Sequence, residues 1–121
     1  MVASATKALI AAGIAPKNIL EHTVAGSFEI PLVGAALARV RRVDALIGFG
    51  VIVQGETRHA DHLAREVAHG IMRVQLAYHI PFAFEVLHVD TIEQARARAE
   101  KGREAAAAVL HSLAQLTRLQ P

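Results

Sequence analysis

Asp44-Ala45-Leu46-Ile47-Gly48-Phe49-Gly50-Val51-Ile52-Val53 and the pentapeptide Gly55-Glu56-Thr57-Arg58-His59 just beyond it decide the fold. The first run is too continuously apolar for a strand with one face in water and reads as a strand covered on both faces. Past the pentapeptide, Leu63, Val67, Ile71, Val74 and Leu76 to Ala77 recur at helical spacing, with Asp61 standing as N-cap. The pentapeptide therefore joins the C-terminal end of a buried parallel strand to the N-terminus of a helix. Ligands bind at that place in open α/β sheets, because backbone N–H groups and the positive end of the helix dipole converge there. Glycine lets a backbone come close to an anion, threonine adds a hydroxyl, and His59 is the side chain best suited to move a proton near neutral pH.

Around this centre the chain alternates. Ala3 to Ala12 has high helix propensity and is stopped by Gly13 and Pro16. Asn18 to Val24 reads as a strand, which Ala25-Gly26-Ser27 breaks. Pro31, tolerated only in a first turn, fixes the start of the next helix, which runs through Leu32, Ala35, Ala36, Leu37 and Val40. Ser27, Phe28 and Glu29 thus occupy a second strand-to-helix junction. If its strand lies parallel beside Asp44 to Val53, both junctions open on one edge of the sheet. A long helix, Ala60 to His79, leads to a third strand, Ile80 to Leu87, that ends at His88-Val89. Asp90 is the expected N-cap of a last helical stretch, Thr91 to Leu119, with Glu93 reaching back and a break at Lys101-Gly102. Such alternation implies a parallel sheet covered on both faces by right-handed crossovers.

The 121 residues suffice for one domain with a core, and residues 1–121 are expected to form one. A hydrophobic share of 53% is large for so small a chain and implies that some apolar surface faces other subunits. Arg39, Arg41, Arg42 and Asp44 interrupt the longest apolar candidate before it reaches the roughly 18 residues of a membrane span, and the N-terminus carries no secretory pattern. The absence of cysteine excludes a disulfide framework, a thiolate metal site and a thiol nucleophile, so a cytoplasmic protein is expected. Net charge is only +2, and a single tyrosine without tryptophan leaves little for base stacking. The one basic cluster, Arg39, Arg41 and Arg42, falls at a helix end, where cations favour the dipole. Neither nucleic acid nor membrane is an expected partner.

Gly48-x-Gly50 with Gly55 looks like part of a dinucleotide fingerprint, but the first two glycines fall inside the strand, where close packing at the sheet centre is the better reading. His59, His62, Glu66 and His69 lie along one helix face. Without a further convergent ligand they read as a polar helix face, and no metal is expected. Phe28, Phe82 and Phe84 suit a core, yet Phe28 and Phe84 stand at a junction and near a strand end, where an aromatic can stack on a flat heterocycle. Arg98 and Lys101 lie together in the late helix, facing either an anion or water.

Together, Gly26-Ser27-Phe28-Glu29-Ile30-Pro31, Gly55-Glu56-Thr57-Arg58-His59 with Asp61, Glu66-Val67-Ala68-His69-Gly70, Ile80-Pro81 and Asp90-Thr91-Ile92-Glu93-Gln94-Ala95 resemble the lumazine synthase family, from about Ala3 to the C-terminus. The resemblance implies a flavodoxin-like three-layer α/β/α sandwich with a parallel sheet, assembled as a homopentamer. Some members stack as decamers or build sixty-subunit shells, and active sites lie between neighbouring subunits. It also implies a transferase of riboflavin biosynthesis that needs no cofactor and acts on small-molecule substrates. The reaction condenses 5-amino-6-(D-ribitylamino)uracil with 3,4-dihydroxy-2-butanone 4-phosphate to give 6,7-dimethyl-8-ribityllumazine and phosphate.

Carried over residue by residue, the resemblance has Phe28 stacking on the pyrimidine ring, Ser27 and Glu29 binding the ribityl chain, and Val53 touching the pyrimidine edge. Glu56 and Thr57 hold the phosphate and His59 transfers protons. Phe84 and Arg98 serve the pocket from an adjacent subunit, Arg98 on the phosphate, with Lys101 near the ligand. The sequence also departs from the family's pattern. The family opens with one more strand, central in the sheet, whereas this sequence begins inside the helix that follows it. An N-terminally shortened fold is therefore expected, with the natural protein carrying a further N-terminal portion. The segment between Arg98 and Gly102 is shorter than the family's glycine-containing loop, His88-Val89 stands where two threonines are usual, and Arg58 adds a charge beside His59. One alternative of a different class follows from these departures: a catalytically inactive shell or scaffold subunit.

Overall fold

The apolar run at the centre of the sequence is a strand, and it has one hydrogen-bonded neighbour. In the computed structural model, which describes residues 1–121, the order is α1 (Val2–Ala11), α2 (Ile30–Arg39), β1 (Leu46–Val53), α3 (His59–Tyr78), β2 (Phe82–Val89), α4 (Ile92–Arg96) and α5 (Lys101–Leu119). Single 3-10 turns occur at Pro16–Asn18 and Ser27–Glu29. β1 and β2 run parallel, from Leu46 opposite Phe82 to Val53 opposite Val89, with α3 as the crossover between them. The fold is α/β, as expected.

Glycine lets α2 and α3 close on one face of this sheet. A Cβ at Gly48 would stand 2.8 Å from Ile30 Cγ2 of α2 and 3.2 Å from Ile71 Cδ1 of α3, so no larger residue fits there. Ile30, Ile52, Val67, Ile71, Val74, Phe82 and Val86 form the core between these layers, with Val67 wholly out of water. On the other face, α5 packs on β2 through a side rich in small residues, including Ala105, Ala106 and Val109, and α1 lies against α5. α3 ends where His79 turns left-handed at φ 52° and Pro81 follows; Gln75 Oε1 then accepts the Phe82 N–H at 2.8 Å, capping the first residue of β2.

Asn18 to Val24, expected to be a strand, is not one. Its first residue closes a 3-10 turn, and Ile19 to Val24 pairs with nothing, so the sheet has two strands rather than three. β1 has an open edge, and this segment does not take it. The β1 ladder opens with Leu46 N–H to Pro81 O (2.8 Å) and closes with Gln54 N–H to Val89 O (2.7 Å). In parallel pairing the even-numbered residues therefore face β2, while the backbone groups of Ile47, Phe49, Val51 and Val53 point to the opposite edge, where no strand lies. A strand-like sequence becomes a strand only beside a chain that can answer its N–H and C=O groups.

Three boundary expectations also change. α3 starts at His59, so Asp61 sits in its first turn instead of capping it, still placed to favour the positive helix end. Thr91, not Asp90, caps α4: Thr91 Oγ1 accepts the Gln94 N–H at 3.3 Å, and it is Gln94, not Glu93, that reaches back, accepting the Asp90 N–H at 2.8 Å. The interruption of the last helical stretch falls before Lys101 rather than at Lys101-Gly102, which open α5.

Candidate active site

The ladder holds β1 to its last residue, so the chain leaves the sheet at a fixed point. Gln54 then braces the loop that follows: its side-chain Nε2 donates to Gly55 O (3.1 Å) and Thr57 O (3.0 Å). Thr57 Oγ1 accepts the His59 N–H at 3.4 Å, and α3 begins. The first N–H groups of this 20-residue helix have no partners one turn back, so partial positive charge gathers beside the loop. The His59 ring makes no hydrogen bond within the chain and is free to meet a ligand.

The second junction comes to the same place. Gly26, extended at φ -164°, leads into the Ser27–Glu29 turn, closed by Glu29 N–H to Gly26 O at 3.2 Å. Ser27 comes to rest on β1 because Gly50 leaves it room: a Cβ there would stand 2.6 Å from Ser27 Oγ. The result is a cleft of ≈350 Å³ at the C-terminal end of β1, lined among others by Ser27, Val53, Gly55, Thr57, His59 and Leu63. A larger hollow, ≈610 Å³, lies between α1 and Glu21, away from every residue named for chemistry.

Four of the expected site residues, Ser27, Val53, Thr57 and His59, thus share one cleft. The others lie outside its lining. Phe28 projects into solvent, 62% exposed, Glu29 is half-buried behind Gly26, and Glu56 is exposed on the loop. Phe84 is exposed on β2, opposite Gly48 in register. Arg98 is exposed, its Nη1 donating to Gln94 O at 2.7 Å. Lys101 pairs with Glu104 at 3.2 Å. It also acts on Glu85, whose carboxyl is pushed above its ordinary range by burial, an effect that Lys101 and the N-terminal ammonium oppose and Glu104 reinforces. His62, Glu66 and His69 stand exposed on α3, with only a His69 Nδ1–Glu66 Oε1 contact of 3.8 Å among them.

This arrangement coincides with a family match along nearly the whole chain. The model of the 6,7-dimethyl-8-ribityllumazine synthase family matches residues 1–117. Two relatives, from Stenotrophomonas maltophilia strains K279a and R551-3, each named 6,7-dimethyl-8-ribityllumazine synthase, are 40% identical over 124 residues. The alignments cover 98% of this chain and 80% of each relative. The chain belongs to the 6,7-dimethyl-8-ribityllumazine synthase family. It is accordingly an enzyme of riboflavin biosynthesis, a transferase, and the alternative of an inactive scaffold subunit is not favoured.

Within a lumazine synthase chain, the sequence reading overlooked two features. Ala60 and Leu63 line the cleft, yet they look like ordinary helix-face residues. Gln54 carried a signal that went unused, being the polar residue that ends an otherwise apolar strand run next to a ligand loop.

Proposed function

We propose that the chain forms 6,7-dimethyl-8-ribityllumazine by condensing 5-amino-6-(D-ribitylamino)uracil with 3,4-dihydroxy-2-butanone 4-phosphate. The observation that carries the reading is the convergence of Ser27 with Thr57 and His59, from separate junctions, on one cleft beside a helix N-terminus. Imine formation joins the 5-amino nitrogen to the ketone carbon and expels water, which requires a proton on the departing oxygen. Elimination takes a proton from carbon and releases phosphate, a developing anion that the N–H groups at the start of α3 stabilise. His59, with its ring unengaged, carries these protons, and Glu56 and Thr57 hold the phosphate. The ribitylamino nitrogen then closes the second ring on the remaining carbonyl and expels a further water; no step changes the net oxidation level, so the reaction calls on no redox cofactor. Much of the acceleration comes from holding two reactants together.

Ser27 and Glu29 take the ribityl chain, Phe28 stacks on the pyrimidine and Val53 meets its edge. Phe84 and Arg98 complete the cleft of an adjacent subunit, with Lys101 at its margin, in a cytoplasmic homopentamer. Exposure of Leu32 (71%) and Leu76 (64%), besides Phe28, supports an assembly that covers them. No helix is long and apolar enough to cross a membrane.

The test mixes purified protein with both substrates and follows lumazine absorbance. Product is expected; pentamers that bind the pyrimidine yet make none would sink the proposal. His59→Ala should retain turnover, with kcat lowered about a hundredfold, while Arg98→Ala chiefly raises KM for the phosphate substrate. Equal effects of both on kcat would contradict this division of roles.

A further inference from the structure

Gln54 and His88 have no part in the chemistry proposed above, yet they meet beside it. Gln54 follows the last residue of β1, His88 is the penultimate residue of β2, and His88 Nε2 stands 2.8 Å from Gln54 Oε1. The same amide donates from Nε2 to Gly55 O and Thr57 O. Carbonyl oxygens only accept, so the amide nitrogen must face the loop and the amide oxygen must face His88. That oxygen in turn requires His88 Nε2 to carry the hydrogen. Asp61 Oδ1, 3.8 Å from the same nitrogen, is the charged group beside the imidazole.

The consequence falls on the loop backbone. In a trans peptide the N–H points opposite to the C=O. Holding the carbonyls of Gly55 and Thr57 against Gln54 therefore turns the N–H groups of Glu56 and Arg58, which share those peptide planes, to the other side of the loop. Neither N–H has an acceptor within the chain. We propose that His88 is a positioning residue: through Gln54 it sets the two peptide planes so that the Glu56 and Arg58 N–H groups meet a phosphate. This rests on the function proposed above, which makes the anion the phosphate of the four-carbon substrate. Where two threonines are usual in the family, this chain thus places a side chain long enough to reach the loop brace from the neighbouring strand.

The test compares wild type with His88→Ala, Gln54→Ala and His88→Gln, measuring KM for each substrate, Kd for inorganic phosphate and the thermal midpoint. One neutral hydrogen bond is worth up to about a factor of ten in binding. His88→Ala should raise KM for the phosphate substrate and Kd for inorganic phosphate together, about fivefold, leaving KM for the pyrimidine and the thermal midpoint unchanged. Gln54→Ala should cost about tenfold, and His88→Gln, whose own N–H can serve Gln54 Oε1, should restore wild-type values. Phosphate affinity indifferent to His88→Ala, or both KM values rising together without rescue by His88→Gln, overturns the proposal. A wild-type protein that turns nothing over but binds inorganic phosphate in a His88-dependent way would sink the enzymatic reading and keep this one. Turnover with His88-independent phosphate binding does the reverse.

Discussion

Two junctions that lead into helices feed one cleft, and they are built to different standards. At Val53 to His59 the incoming strand is laddered along its length, and Gln54 clamps both the loop and, through His88, the neighbouring strand. At Val24 to Ile30 the incoming segment pairs with nothing, Leu20 is 61% exposed, and the junction is placed from its far side, by Ser27 resting on Gly50 and by Ile30 in the core. The first junction is held by a strand ladder and a side-chain clamp, the second by side-chain packing and the backbone bond of its own Ser27–Glu29 turn. Backbone pairing fixes a loop's approach residue by residue, whereas packing fixes only where it lands. The half of the cleft proposed to hold the phosphate is therefore the better organised one, and the half proposed to hold the ribityl chain and pyrimidine has more freedom.

The widest gap between the two regions is expected in amide hydrogen exchange. Gly48, Gly50 and Ile52, whose N–H groups face β2, should exchange about a thousandfold more slowly than Leu20 to Thr23. Equal protection would mean that Ile19 to Val24 is paired in solution, and the contrast would collapse. Next in size is stability: Phe82→Ala, emptying the core beneath α2 and α3, should cost about 3 to 5 kcal/mol in urea unfolding. Leu20→Ala should change it by no more than about 0.5 kcal/mol.

A smaller effect tests the packing that places Ser27. Gly50→Ala should cost about 1 to 2 kcal/mol and raise KM for the pyrimidine substrate without moving KM for the phosphate substrate, because the displaced residue belongs to the loosely held junction. A rise in both would show that the two junctions are coupled. The smallest effect probes the paired region itself. Glu85 has its carboxyl pushed above the ordinary range by burial, so the folded state binds its proton more tightly than the unfolded state does. Its contribution is present at low pH and is lost as pH rises from the ordinary carboxylate value through the raised one. Thermal midpoints of Glu85→Gln across that window should lack this loss, leaving the variant more stable relative to wild type at neutral pH than at pH 4. An unchanged pH profile would refute the assignment.

Much of this was legible because it is local. The period of Leu63, Val67, Ile71 and Val74 announced α3, Pro31 marked the first turn of α2, and the apolar run announced β1. What stayed hidden required a partner. Ile19 to Val24 has the residues of a strand, and local propensity does not say which segment would answer its backbone groups. Thr91 and Asp90 are both good caps, and the choice fell to the residue whose Oγ1 meets the Gln94 N–H. Gln54 and His88 lie 34 positions apart and gain meaning only where two parallel strands end side by side.

By itself the sequence determined the helices, the two strands β1 and β2, the two junction peptides and the residue types offered to a ligand, since propensity, capping and hydrophobic period act over a few neighbouring residues. The tertiary structure alone decided which edge of β1 is paired, that Ser27 and His59 share a cleft, and that His88 reaches Gln54, the brace of the loop before α3. Those outcomes depend on hydrogen bonds and contacts between segments far apart in the chain, whose energies exist only once the segments have met.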